Sequence, residues 1–343
     1  MGGRLAAILA ASAILWAGLT VACGSGGEPG PLHATGTPQT TQEPEPSPIP
    51  TDTPEAPTQL KVAFINLLSP LAVDAEKREA DETYDARLDA LIERLKAFDP
   101  DIVGFNEASW TRAHGSAVSR LQKELKMEAQ YLRANPHFPL ATSRQDAEEL
   151  VKKAGFEEGE LILVKGSRFP VLRSTPTLLN PKTSESGEVR SALHVVVKGP
   201  ASIGEIDIFI THLTGGGDAV RQAQAANFAV WVSTRRGRGP AIVMVGQSDP
   251  AAASTYEFYT NVGLRDVFGT QPIVTCCRAS VVGEQPPVTA RSDYLMTTGW
   301  VPSSVALFGD VPVPLADGRL LYMSDHNGLM ATFPIPRVPA GDR

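Results

Sequence analysis

The sequence predicts an α/β fold in which two mixed β-sheets pack face to face, with helices on the outside. Short apolar runs rich in β-branched residues recur along the chain, and their lengths are typical of buried strands. Segments with apolar residues at helical spacing separate several of these runs. Because a sheet and an amphipathic helix each bury an apolar face against another layer, this alternation favours two packed sheets flanked by helices.

Composition limits the classes of function. The chain has 343 residues, of which 42% are hydrophobic, and this is enough for one large core or two small domains. The formal net charge is −7 at pH 7. No basic surface therefore recruits nucleic acid by electrostatics alone, which disfavours a nucleic-acid partner. It does not exclude one, because an acidic protein can bind phosphate through a metal ion.

The N-terminal segment has the layout of a signal peptide. A weakly positive start is followed by a continuous run of apolar and small residues over 5–22, and then by Cys23. The residues that end at Cys23 resemble a bacterial lipoprotein signal, in which the cysteine is lipidated and becomes the new N-terminus. We therefore predict a signal peptide over residues 1–23 and an extracytoplasmic, membrane-anchored lipoprotein. Simple secretion and an uncleaved helical anchor are the alternatives.

Residues 24–58 are rich in Pro, Thr, Glu, Gly and Ser, with almost no large apolar residue. Such a segment cannot bury a core, so the sequence predicts a disordered tether here and one folded domain over residues 59–337. Only Cys276 and Cys277 remain in that domain. Adjacent cysteines rarely bond each other because the ring is strained. We therefore expect two buried or partly buried thiols, with a redox or metal role as the alternative.

The first part of the domain is predicted as strand, helix and strand. Residues 61–65 form the first strand, and apolar residues from Tyr84 to Phe98 recur at the spacing of an amphipathic helix. Asp99 ends this helix, because the residue before a proline avoids helical backbone. Residues 101–105 form a second strand, which a right-handed crossover places parallel to the first. A further helix is predicted over residues 116–127.

The remainder of the domain is predicted to be rich in strands. Three runs in the middle have the short loops and the alternation of antiparallel pairing. Helices are predicted over residues 218–235 and 256–262. The predicted strands are 160–164, 192–198, 205–210, 241–245, 294–296, 304–308 and 328–333.

Polar side chains follow five of the apolar runs at the points where those runs end. In open α/β folds ligands bind beyond the strand ends. Carboxylates, imidazoles and amides gathered from separate strands are what a metal-assisted hydrolytic site needs. Taken singly, each position is also explained as a turn former or a helix cap, so the prediction rests on the set. The five groups are Asn66, Asn106-Glu107, Thr211-His212, Gly246-Gln247-Ser248-Asp249 and Ser324-Asp325-His326.

The order of these motifs, together with Arg291-Ser292-Asp293-Tyr294, resembles the endonuclease/exonuclease/phosphatase superfamily. The resemblance covers residues 59–336 and rests on six motifs in the right order, none of which is decisive alone. It implies the DNase-like fold, a four-layered α/β sandwich with the site where the two sheets meet. It also implies activity on phosphate esters, because the superfamily includes nucleases, sphingomyelinases and inositol polyphosphate phosphatases.

The resemblance implies a divalent metal site. Glu107 matches the superfamily's principal metal ligand, and Asp325 is the second carboxylate assigned to the metal. Mg²⁺ or Mn²⁺ is the expected ion, because one or two carboxylates hold such a hard cation together with water and substrate phosphate. Asn66 matches the asparagine beside the metal, where an amide orients a ligand or the phosphate. Arg190 matches a phosphate-binding arginine, although a solvated loop arginine explains it equally well.

The resemblance also assigns the acid–base groups. His326 matches the general acid/base histidine, and Asp293 matches the aspartate that orients an imidazole. His212 matches a second histidine that stabilises or protonates the leaving oxygen. A carboxylate that accepts a hydrogen bond from one ring nitrogen fixes the tautomer of the ring, as general acid–base catalysis requires.

One motif departs from the superfamily pattern. The usual Gly-Asp-Phe-Asn is Gly246-Gln247-Ser248-Asp249 here, so an amide replaces the acid and an acid replaces the amide. Side chains two residues apart on extended backbone point the same way. Gln247 can then contact the substrate while Asp249 supplies the catalytic acid, in swapped order. Alternatively, Asp249 has no catalytic equivalent and activity is reduced or lost.

Two functions remain open from the sequence. The first is a Mg²⁺-dependent hydrolase of phosphodiesters or phosphomonoesters, which Glu107 and the two histidines favour. The second is a phosphate-recognising binding module with reduced or lost catalysis. The acidic charge and the predicted tether favour phospholipid head groups or small phosphate esters over nucleic acid as partners. We expect a monomer that contacts the membrane through its N-terminal lipid.

Overall fold

Two mixed β-sheets form the centre of the structure. The computed structural model describes residues 57–71, 81–137, 143–180, 189–215, 217–247 and 253–337. The predicted signal peptide with Cys23, almost all of the predicted tether, and Ser248 and Asp249 lie outside the described residues. Among the helices of the described ranges, none is long and apolar enough to cross a membrane.

Helices and strands are numbered here in chain order. The helices of the described residues are α1 (Tyr84–Phe98), α2 (Ala117–Leu125), α3 (Arg144–Ala154), α4 (Asp218–Arg235) and α5 (Ala253–Asn261). The strands are β1 (Gln59–Asn66), β2 (Ile102–Thr111), β3 (Gly115–Ser116), β4 (Glu128–Asn135), β5 (Phe156–Val164), β6 (Val171–Leu178), β7 (Ser191–Lys198), β8 (Glu205–Leu213), β9 (Ala241–Gln247), β10 (Arg265–Asp266), β11 (Asp293–Thr297), β12 (Ser304–Phe308), β13 (Val313–Pro314), β14 (Leu320–Leu321) and β15 (Gly328–Pro334).

Both large sheets mix parallel and antiparallel pairs. The first sheet has the order β12-β15-β1-β2-β5-β4, with β3 paired to β2, and the second has the order β10-β11-β9-β8-β7-β6. The pairs β1–β2 and β8–β9 are parallel. The pairs β1–β15, β2–β5, β7–β8 and β9–β11 are antiparallel. The predicted mixed sheets are confirmed.

Three of the hydrophobic clusters lie between neighbouring layers of the fold. On β1, Val62 and Phe64 lie in the core between the two sheets, whereas Ala63 and Ile65 lie in the core beneath α1 and α2. This division follows from the alternation of side chains along a strand. On the other side, α4 and α5 pack against β8 and β9. The resulting order of helix, sheet, sheet and helix is the predicted four-layered α/β sandwich.

The two sheets approach each other closely at Gly104 on β2. A Cβ at this position would overlap Met244 Sδ and would touch Ile210, and both of these side chains belong to the second sheet. Only a glycine therefore fits without a shift of its neighbours. The close approach brings the strand ends of the two sheets within reach of one another.

Several elements differ from the prediction. β2 continues past Phe105 to Thr111, because a bulge at Glu107 lets the strand resume. The strand predicted over residues 160–164 begins at Phe156 and pairs with β2 and β4, not with β7. The sequence pattern predicts no element at β4, α3 or β6. Both α3 and β6 are mostly exposed, so they contain few buried apolar side chains whose spacing could indicate a helix or a strand.

Candidate functional site

Polar side chains from both sheets meet at one end of the sandwich. Asn66 pairs with Asn106 across β1 and β2, and Gly246 on β9 pairs with both His212 on β8 and Asp293 on β11. Hydrogen bonds and short ion-pair distances link these strand ends to the segments before β7 and β15. Seven of the predicted site residues therefore lie in one cluster, namely Asn66, Glu107, Arg190, His212, Asp293, Asp325 and His326.

Glu107 lies in a β-bulge of β2. The strand register shifts between Phe105 and Ala108, and Glu107 has a φ of 58°. This left-handed conformation is uncommon for a residue other than glycine, and such residues concentrate at functional sites. The carboxylate accepts hydrogen bonds from Asn66 Nδ2 and from the Ser69 N–H, each at 2.8 Å. The bulge and these two donors fix the direction of the carboxylate.

His212 lies between a carboxylate and a guanidinium. His212 Nδ1 is 3.9 Å from Glu107 Oε1 and 3.1 Å from Arg190 Nη1. A guanidinium only donates hydrogen bonds, so Nδ1 accepts. Burial lowers the pKa of His212, and the charge of Arg190 lowers it further, so the ring is neutral at neutral pH. Burial alone would raise the pKa of Glu107, but the hydrogen bonds from Ser69 and Asn66 and the positive charge of His326 lower it.

His326 and Asp293 form a buried pair. His326 Nδ1 lies 2.7 Å from Asp293 Oδ2, and Ser292 Oγ donates to the same oxygen at 2.9 Å. Burial would lower the pKa of His326, but the carboxylates of Asp293 and Asp325 raise it to about 10. The ring is therefore an imidazolium at neutral pH. Its other nitrogen, Nε2, lies 4.0 Å from Asp325 Oδ1 on the cluster side of the ring.

Asp325 is the second carboxylate of the cluster. Its Oδ1 accepts a hydrogen bond from Ser324 Oγ at 3.2 Å. Burial raises the pKa of Asp325, and the charge of Glu107 raises it further. Two carboxylates that disfavour each other's charge in a largely buried cluster are stabilised by a cation.

Arg87 connects the segment that follows β1 to the segment that precedes Asp325. Its guanidinium is buried and donates to the carbonyl oxygens of Leu67, Leu68 and Met323 at 2.7, 3.0 and 3.2 Å. Sequence reasoning missed this residue. The signal is its spacing, because Arg87 lies three residues after Tyr84 and so on the apolar face of α1. A charged residue on such a face indicates a buried polar contact.

Gln247 does not join the cluster, which corrects its predicted role as a substrate contact. Its side chain is fully buried, and its Oε1 accepts a hydrogen bond from Thr255 Oγ1 on α5 at 2.8 Å. Gly246 is the residue that faces the site, since a Cβ there would overlap Asn106 Oδ1. Neighbouring strand residues point to opposite faces, so Gln247 points toward the helices. Asp249 lies outside the described residues, and its catalytic role stays a prediction.

Cys276 and Cys277 lie against His326 and were not among the predicted site residues. The two cysteines are joined by a disulfide, so the expectation of two separate thiols is wrong. Each Sγ lies 3.6 Å from His326 Nε2. Cys276 is buried and Cys277 is exposed. The sequence signal was the adjacency of the cysteines in a chain with only three.

The donor set of the cluster fits a hard divalent cation such as Mg²⁺. Such an ion takes oxygen ligands from one or two carboxylates and completes its shell with water and substrate phosphate. Glu107 and Asp325 supply two carboxylates in one cluster. Their side chains are 22% and 19% exposed, so both remain accessible to a ligand from solvent.

Comparison with solved structures identifies the class of fold. An endonuclease/exonuclease/phosphatase family protein from Bacteroides thetaiotaomicron matches with a TM-score of 0.61 at 16% identity, covering 82% of this chain and 99% of its own. The mannosyl-6-phosphatase of the same organism matches with a TM-score of 0.59 at 16% identity, covering 79% and 98%. The human Nocturnin catalytic domain with bound sulfate matches with a TM-score of 0.55 at 16% identity, covering 81% and 94%.

These likenesses show that the chain has the DNase-like fold of the endonuclease/exonuclease/phosphatase superfamily, as the sequence predicts. No protein-family model and no curated protein sequence matches the chain.

Proposed function

We propose that the protein is a Mg²⁺-dependent hydrolase of phosphodiesters or phosphomonoesters. One observation supports this most strongly, which is the convergence of Glu107, His212 and the His326–Asp293 pair at one end of the sandwich. A carboxylate for a metal, a neutral imidazole and an oriented imidazolium are groups that metal-assisted hydrolysis of a phosphate ester uses. Proteins of the same fold include a mannosyl-6-phosphatase and a Nocturnin domain with bound sulfate, a tetrahedral anion like phosphate.

His326 is the proposed proton donor. Asp293 holds Nδ1, so the second ring proton is on Nε2, which lies 4.0 Å from Asp325 Oδ1. With a pKa of about 10 the ring keeps that proton at neutral pH until an oxygen of the substrate acquires negative charge. A positioned acid of this kind accelerates a reaction by about 10²–10⁴-fold.

Arg190 and His212 are the proposed groups around the phosphate, and Asn66 is proposed to position Glu107. Because His212 Nδ1 accepts from Arg190, the neutral ring carries its proton on Nε2. The guanidinium of Arg190 supplies positive charge for a phosphate beside the ring. Asn66 acts through Glu107, since its Nδ2 donates to the carboxylate.

Glu107 and Asp325 are the proposed metal ligands. When bound, Mg²⁺ would supply positive charge that stabilises the phosphate oxygens as charge develops on them. The lowered pKa of Glu107 keeps this carboxylate ionised and ready to bind a cation. Asn66 and Ser69 hold it in place through the 2.8 Å hydrogen bonds, so little side-chain order is lost on binding.

We further propose that the protein works outside the cytoplasm, attached to a membrane through lipidated Cys23. The apolar run before Cys23 and the Pro- and Thr-rich segment after it support this proposal. The net charge of −7 favours phospholipid head groups or small phosphate esters as substrates over nucleic acid. Membrane fractionation of Cys23→Ala tests the attachment, and equal membrane retention and normal processing of the variant would contradict it.

A phosphate-binding module without turnover is the second candidate. The observation that favours it is Gln247, which is an amide where the superfamily has an acid, and which bonds to Thr255 away from the cluster. An amide cannot act as a base.

A panel of substrates separates the two candidates. Chromogenic phosphodiester, phospholipid and sugar phosphate are each incubated with the protein and Mg²⁺, and binding of a non-hydrolysable phosphonate analogue is measured alongside. The hydrolase proposal expects turnover of at least one substrate class. Binding of the analogue without turnover of any class would favour the binding module.

A further inference from the structure

We propose that Cys276 and Cys277, once reduced, form with His326 a binding site for a soft divalent cation such as Zn²⁺ or Cd²⁺. The proposed hydrolysis makes no use of the two sulfurs, although they lie within contact distance of its proton donor. Thiolate and imidazole are the ligands that soft cations prefer, whereas Mg²⁺ prefers the carboxylates of Glu107 and Asp325. The cluster therefore contains two neighbouring donor sets of opposite preference.

The two nitrogen–sulfur distances match tetrahedral coordination. With metal–sulfur bonds of about 2.3 Å and metal–nitrogen bonds of about 2.0–2.1 Å, sulfur and nitrogen in a tetrahedral zinc site lie about 3.6 Å apart. Both Sγ atoms lie 3.6 Å from His326 Nε2. The three ligand atoms all lie within 4.8 Å of one another. In the disulfide the two sulfurs are bonded to each other, so one cation can contact all three atoms only after reduction lets the sulfurs move apart.

The surrounding contacts prepare these ligands. Asp293 holds His326 Nδ1 at 2.7 Å, so Nε2 is aimed at the sulfurs in the carboxylate–histidine arrangement that is common at metal sites. The backbone of Cys276 is fixed by its bridge to Ala290. Cys277 is exposed and gives a cation a path from solvent.

Reduction controls the site, because the sulfurs of a disulfide are not thiolates. A phosphine reductant takes one oxygen atom from water and becomes the phosphine oxide. The disulfide gains the two electrons and the two protons, so that Cys276 and Cys277 become thiols. Binding of the cation then displaces the two thiol protons and any proton on His326 Nε2. The oxidised protein is therefore a control with the same sequence as the reduced protein.

Cation binding would also change activity, and this part rests on the proposed function. A cation on Nε2 removes the nitrogen from which His326 is proposed to donate a proton. The reduced enzyme is then inhibited by Zn²⁺ or Cd²⁺, and the oxidised enzyme is much less sensitive.

Titration with Cd²⁺ tests the site without reference to activity. The full chain carries Cys23→Ser in every arm, so that only two thiols are present, and saturating Mg²⁺ occupies the carboxylates. Ultraviolet thiolate-to-cadmium charge transfer reports sulfur ligation, and calorimetry gives affinity and stoichiometry. We expect one Cd²⁺ per reduced chain, with affinity lowered by more than about 100-fold in the oxidised protein and in Cys276→Ser/Cys277→Ser. His326→Gln should keep the charge-transfer band with weaker affinity, and Glu107→Gln should bind like the parent.

The result that overturns the proposal is a reduced protein with no charge-transfer band, or equal Cd²⁺ affinity in the reduced and oxidised proteins. The oxidised arm keeps this test valid if the double serine variant fails to fold. Inhibition of phosphodiester turnover is measured separately, relative to the uninhibited rate of each protein. Cd²⁺ binding without any turnover would contradict the proposed hydrolase and leave the soft-cation site standing, whereas turnover without Cd²⁺ binding would do the reverse.

Discussion

Replacing Asp293 with Asn tests how the His326–Asp293 pair is held. Asp293 is the strongest of the neighbours that raise the pKa of His326 from 6.5 to about 10. Full return of that pKa to 6.5, at about 1.4 kcal/mol for each tenfold change in proton affinity, would remove about 5 kcal/mol, and Asp293 supplies the largest share of this. Breaking a buried ion pair by removal of one partner costs a similar amount, about 3–5 kcal/mol. We therefore expect Asp293→Asn to lower the free energy of unfolding by on the order of 3 kcal/mol at neutral pH.

The loss has a defined dependence on pH. The pKa of His326 is higher in the folded protein than in the unfolded chain, so the pair stabilises fully below pH 6.5 and loses its contribution as pH rises through about 10. Denaturant unfolding in EDTA, from slightly acidic to strongly alkaline pH, measures the difference between parent and variant. We expect the difference to be largest at the acidic end and to shrink toward the alkaline end. A difference that is constant with pH, or that grows with pH, would refute this reasoning.

Three further predictions concern Glu160, Arg87 and Asp249. Glu160 accepts a hydrogen bond from Ser191 in the core, and burial raises the pKa of Glu160 to about 8. Its contribution to the free energy of unfolding therefore falls as pH rises from 4.5 through about 8. Glu160→Gln should flatten that part of the plot of unfolding free energy against pH. Arg87→Met should lower the free energy of unfolding by about 3 kcal/mol, because three buried carbonyls lose a charged donor, and Arg87→Lys should recover part of the loss in the same thermal and denaturant assays. Asp249→Asn should abolish phosphodiester turnover if Asp249 supplies the missing acid, whereas an unchanged steady-state rate would mean that it has no part in the site.

Much of the fold could be predicted from the sequence because most of its strands and helices bury apolar side chains at regular spacing. The predicted helix over 218–235 and strand over 304–308 have the bounds observed for α4 and β12. Central strands are buried on both faces and read as continuous apolar runs. The exposed edge strand β6 and the polar helix α3 carry no such pattern, since little of either is buried.

The candidate site was predictable to the extent that it lies at strand ends. Glu107, His212 and His326 each follow an apolar run, and register aligns those ends in space. The sequence does not determine which face of β9 carries the Gln247 side chain, because a shift of one residue along a strand moves each side chain to the opposite face. The contact of the cysteines with His326 depends on a long irregular segment between β10 and β11, whose path no local pattern determines.

The rate of phosphodiester hydrolysis as a function of added Mg²⁺ tests the central claim most directly. Protein freed of metal with EDTA is compared with His326→Gln and Glu107→Gln, on one chromogenic phosphodiester. We predict that the parent rate rises with Mg²⁺ and saturates, that His326→Gln lowers the saturating rate by about 10²–10⁴-fold, and that Glu107→Gln shifts saturation to much higher Mg²⁺. Equal rates and equal Mg²⁺ dependence in all three proteins would contradict the account.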